Sequence, residues 1–128
     1  MCIRDRHCDD WTWGDIHWNV AKDNKKVNLH LNGIGEVHSK FEFTQGQLGQ
    51  WVHLAMTYDA KARLLKLYVN GIEEASAQTQ SARAVDLTRV KLGCWNGRDR
   101  MWKGSMDELR IYSRALTPAE IAELAANK

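Results

Sequence analysis

The sequence predicts an all-β fold, an antiparallel sandwich of two sheets, with one short helix at its C-terminal end. Three observations carry that expectation. Apolar residues recur at every second position in several short runs, turn residues separate those runs at short intervals, and a helix-start signature occurs near the C-terminus. No helical pattern falls between the strand-like runs, which excludes the parallel α/β folds. At 128 residues the chain suits one domain around a single core.

Residues 16–20 and 27–31 flank "AKDNKK" and read as a hairpin, the second run placing Val27, Leu29 and Leu31 on one side and Asn28, His30 and Asn32 on the other. Asn32-Gly33 closes that run, "KFEF" predicts a short strand at 40–43, and "TQGQLGQ" is a turn-rich connection. A longer hairpin follows, with strands at 51–58 and 64–70 around "DAKAR". Asn70-Gly71 then makes a tight turn into a returning strand, "IEEASAQ". Beyond a polar stretch, 89–93 and 106–112 read as two more strands, joined by the loop "CWNGRDRMWKG". Alternation along 106–112 puts Asp107 on the face of Leu109 and Ile111, an apparently inward carboxylate. Thr117 as N-cap, Pro118 at the first helical position and Glu120 three residues after the cap predict a helix over 118–125, with Leu116 stapled onto Ile121.

Composition removes several classes of function. The formal charge of +2 arises from 18 basic and 16 acidic residues scattered without a basic block, so nucleic acid is not an expected partner. No apolar run approaches the roughly 20 residues that span a bilayer, and the N-terminal residues have no signal-peptide core. The opening "MCIRDR" resembles a translated sequencing-library adapter, so residues 1–6 are expected to be non-native and the parent protein to continue upstream. Cys2, Cys8 and Cys94 have no zinc-type spacing; Cys8 with Cys94 is a candidate disulfide, with free thiols as the alternative.

Two stretches resemble a known family. "GQWVHLAMTYDAKARLLKLYVNGIEEA" is similar to the central hairpin of laminin G-like jelly rolls, in the concanavalin A-like lectin/glucanase superfamily, and "LGCWNGRDRMWKGSMDELRIYSRALTPAEIAEL" to their closing segment. The resemblance covers about residues 49–124 and implies a jelly roll. Family members run longer at the N-terminus, so residues 7–128 are expected to be one such domain without its first strands.

Catalysis finds little support. Glucanases of the superfamily carry carboxylates spaced Glu-x-Asp-x-x-Glu or Glu-x-Asp-x-Glu on one strand, as glycoside hydrolysis requires. Here Glu73-Glu74 and Asp107-Glu108 are adjacent pairs that point to opposite faces of a strand. His53 is read as a structural strand residue rather than a base. The expected function is a non-catalytic binding or adhesion module, its ligand a glycan or a surface protein, working beside other domains of the parent chain outside the cell or at its surface. A structural or protein-interaction spacer is the first alternative, an accessory fragment of a glycoside hydrolase the second. Six tryptophans suit sugar stacking: Trp51 and Trp102 are assigned to the core, whereas Trp95 with Asn96, Arg98 and Asp99, and Trp11 near Trp13, are the candidate ligand contacts. A carboxylate facing a core needs a partner, and because many jelly-roll domains of this superfamily hold a Ca²⁺, the resemblance implies Asp107 as a candidate ligand of a structural Ca²⁺, with backbone amides or an arginine as the competing partners. Asp59 is read as a turn residue; Asp9, Asp10 and Asp15 are weaker additional ligands.

Overall fold

The computed structural model describes residues 12–88, 90–94 and 101–127. Six strands form two antiparallel three-stranded sheets. The first contains β1 (Ile16–Val20), β2 (Lys26–Leu31) and β3 (Gly35–Glu42); the second contains β4 (Leu54–Asp59), β5 (Leu64–Val69) and β6 (Ile72–Gln78). In each sheet the middle strand in sequence is also the middle strand in space. A single-turn 3₁₀ segment (Gln45–Gln47) joins the sheets, and α1 (Pro118–Ala126) follows near the C-terminus.

Alternation decides what faces what. Val27, Leu29 and Leu31 of β2 point between the sheets and meet Leu65 and Leu67 of β5, with Ile34 and Val37 completing a buried core. Full burial of each leucine contributes roughly 1.5–3 kcal/mol. Edge-strand residues Ile16, Trp18, Leu54, Met56 and Tyr58 cover this core but stay half-buried.

Local chemistry fixes the turns. Asp59 Oδ1 accepts from the Ala62 amide at 2.9 Å and closes the β4–β5 loop, the turn role expected of it. Asn70 and Gly71 both adopt positive φ, +50° and +81°, which makes the tight β5–β6 turn. Gly71 serves twice, because a Cβ there would stand 3.1 Å from Ala122 Cα and Ala125 Cβ. The helix therefore lies directly over that turn. Its start is a full capping box: Thr117 Oγ1 accepts from the Glu120 amide, and Glu120 Oε2 accepts from the Thr117 amide at 2.8 Å. Ile121 is buried and Leu116 half-buried.

Several expectations need correction. β3 begins at Gly35, not at 40, because the Asn32-Gly33 turn leads straight back into pairing with β2. β4 begins at Leu54, not at 51. Past that point the Asn70 side chain takes over from the ladder, accepting from the His53 amide at 2.9 Å while the Asn70 amide donates to the His53 carbonyl. Trp51 is left outside the sheet and is 62 % exposed, so it is not a core residue; Trp102 is half-buried. Residues 90–93 and 106–112 form no strand. Glu108 has φ +53°, which interrupts the extended run, and Met106, Leu109, Ile111 and Tyr112 are exposed.

Candidate functional site

The first sheet turns a polar face away from the core, and its composition is unusual for a solvated face. Register places His17, His30 and Glu36 in one row across β1, β2 and β3, and Asn19, Asn28 and His38 in the next. Six planar polar side chains therefore share one surface. His17 and Asn19 are buried, while His30, Glu36 and His38 are accessible. His38 Nδ1 donates to Asn28 Oδ1 at 2.8 Å.

At the end of this face, beside the β2–β3 turn, lies a shallow groove lined by His30, Gly33, Gly35, Glu36 and Gln80. Trp13 borders it. A Cβ on Gly33, where φ is +68°, would fall 1.7 Å from Trp13 Cε3 and Cζ3, so the indole rests on a position only glycine can provide. Trp13 is nevertheless 61 % exposed, and Arg83 Cζ stands 4.9 Å from its ring centroid.

Neighbouring segments hold these parts in place. The Gly14 amide donates to the Asn32 carbonyl and the Asn32 side chain to the Thr12 carbonyl, which fixes the backbone around Trp13. Tyr58 Oη donates to the carbonyls of Ser81 and Arg83, and the Gln80 amide donates to the Ile34 carbonyl at 2.8 Å. Arg83 and Gln80 are thus carried by a strap anchored to both sheets.

Asp107 does not face a core. It is exposed, and its Oδ1 accepts from the Glu108 amide at 2.8 Å, while Glu108 pairs with Arg110. The parity argument for a buried carboxylate fails because 106–112 is not a strand. Asp15 accepts from the Thr12 amide at 2.7 Å, a local turn contact. Trp11, Trp95, Asn96, Arg98 and Asp99 lie outside the described residues, as do Asp9, Asp10 and Cys8. Glu73 accepts from Lys66 Nζ at 2.7 Å and Glu74 from the Phe41 amide at 2.7 Å, so each carboxylate has a structural partner of its own.

Sequence reasoning had the alternation that puts Asn28 and His30 together, but not the groove. Finding it required the β2–β3 register and the contact of Trp13 with Gly33, which joins residues twenty positions apart.

Two antiparallel three-stranded sheets packed around one core, with a short C-terminal helix, make a β-sandwich and are consistent with a jelly roll. The chain belongs to the Laminin_G_3 family of the concanavalin A-like lectin/glucanases superfamily, whose model matches residues 9–122. Among solved structures it is similar to an S-layer domain-containing protein (residues 221–444) from Clostridium thermocellum ATCC 27405, with 23 % identity and a TM-score of 0.52. That match covers 91 % of this chain and 59 % of the other, so the likeness is one of fold and spans little more than half of that structure. Among curated proteins no sequence matches significantly. No helix among the described residues is long and apolar enough to cross a membrane.

Proposed function

We propose that this domain is a non-catalytic module that binds glycans on behalf of a larger extracellular or surface protein. The observation that carries the reading is Trp13, an exposed indole held on Gly33 at the rim of a groove lined by His30, Glu36 and Gln80. A pyranose ring presents a C–H face that stacks on an aromatic surface, and its hydroxyls pair with planar side chains that both donate and accept. Trp13 supplies the first and the groove the second. Family membership supports a binding role, since laminin G-like domains are generally non-catalytic. The solved neighbour's description as an S-layer domain-containing protein supports a cell-surface setting. Trp11, Trp95, Asn96, Arg98 and Asp99 are further ligand contacts under this reading.

The test is retention of the protein on a glycan array, compared with Trp13→Ala. Specific retention that falls at least tenfold in the variant supports the proposal; retention that is absent, or indifferent to Trp13, removes it. A second reading, a protein-interaction spacer, is favoured by one observation, the exposed apolar residues Met106, Leu109 and Ile111. It becomes the better reading if the array stays blank.

A further inference from the structure

We propose that the ligand is a neutral oligosaccharide chain rather than a single sugar, held by the groove beside Trp13 and by a second subsite on the seam between β3 and β6. The inference rests on the glycan reading and adds an extent and a charge to it. The seam carries a groove of its own, lined by His38, Lys40, Glu73, Glu74 and Ser76. Strand β3 runs through both grooves. Glu36 lines the first, and His38 and Lys40 line the second, at alternate positions on the exposed side of the strand. Glu36 Oε1 stands 3.9 Å from His38 Nε2, so the two grooves meet at that pair.

Length argues for a chain. A strand rises about 3.3 Å per residue, so the row from Glu36 to Lys40 spans roughly 13 Å, more than one pyranose ring covers. Only an occupant of several linked units reaches from the rim at Trp13 to the seam.

The seam also has hydrogen-bonding capacity that the fold does not use. The side chains of Lys40 and Ser76 are exposed and make no hydrogen bond or ion pair among the described residues. Glu74 spends Oε2 on the Phe41 amide at 2.7 Å, which ties β6 to β3 and fixes the groove wall, and its Oε1 is left over. His38 Nδ1 donates to Asn28 Oδ1, so Nε2 remains the accepting nitrogen. Acceptors at His38 and Glu74 thus lie beside a donor at Lys40 and a hydroxyl at Ser76 that does both, which suits hydroxyls that themselves donate and accept. Charge complementarity sets the class of chain. The carboxylates of Glu36, Glu73 and Glu74 balance the cations of Lys40, Lys66 and Arg83, Lys66 being already held by Glu73 at 2.7 Å. The track therefore offers no net charge to draw in an ionised polymer.

Isothermal titration of the full chain with cellobiose and cellohexaose, and with the same lengths of the chitin, xylan and mannan series, tests the inference. In at least one series the hexasaccharide is expected to bind at least tenfold more tightly than the disaccharide. That ratio should fall toward unity in Ser76→Tyr, which fills the seam, and should drop severalfold in Lys40→Ala. Both positions are exposed, so circular dichroism matching the parent separates lost binding from lost folding. Hexagalacturonate, an acidic chain of equal length, should bind at least tenfold more weakly than the preferred hexasaccharide. Binding that depends on Trp13 but shows no gain with length, or a gain indifferent to Ser76→Tyr, overturns this inference and leaves the glycan reading standing, and preference for hexagalacturonate overturns the neutral class. Absence of binding in every series removes both.

Discussion

At the residue scale, the contact between Gly33 and Trp13 organises the candidate site. A side chain at Gly33 would need a left-handed backbone and would occupy the space of the indole at 1.7 Å. Gly33→Ala is therefore expected to cost about 1 kcal/mol or more in denaturant unfolding and to shift the tryptophan fluorescence, because the ring must leave its seat. Asp107 teaches the opposite lesson. Its side of the strand was inferred from alternation, and alternation has meaning only where a strand exists; Glu108 at φ +53° removes that premise. An exposed carboxylate bonded to the next amide needs no cation to offset burial. The melting temperature is accordingly expected to be the same with Ca²⁺ and with a chelator, and a rise with Ca²⁺ would restore a structural calcium site.

At the element scale, hairpin strands were legible where alternation or a strong turn signal marked them, whereas β3 and β4, though paired with sequence neighbours, begin at Gly35 and Leu54 and not where the pattern alone put them. β1, β2, β5, β6 and α1 lie where hairpin alternation, Asn70-Gly71 and the capping box put them. Residues 106–112 carry a strand-like pattern, yet a pattern records only a preference, and strand formation requires a neighbour to take up the ladder hydrogen bonds. Amide exchange should therefore be fast along 106–112 and slow along β5, which is paired on both sides. The helix depends on its cap, and Thr117→Ala is expected to cost about 1 kcal/mol. Glu120 couples that cap to pH. Arg114 first, then the amide and hydroxyl of Thr117, hold its carboxyl at about 2, below the ordinary 4.5. A depressed folded value means stabilisation that is complete above 4.5 and is lost as pH falls through about 2. Amide resonances of Ala122 and Ala125 should report that loss in acid, and in Glu120→Gln the corresponding step should disappear.

At the scale of the whole molecule, two sheets enclose a small core built on Leu29, Leu31, Leu65 and Leu67, and the polar face and groove are borne on the outer side of the first sheet. Leu67→Ala is expected to remove roughly 2–5 kcal/mol, a large share of the stability of a domain of this size, and to collapse the unfolding transition. The family was legible in the sequence because its hairpin and closing motifs are local in the chain. The groove was not, because it is assembled by register and by a turn that brings Trp13 over Gly33. Binding at that rim is the central claim, and glycan-array retention of the protein beside Trp13→Ala tests it most directly. The account predicts retention on a defined set of glycans that falls at least tenfold when the indole is removed; equal retention by both proteins, or none by either, would contradict it.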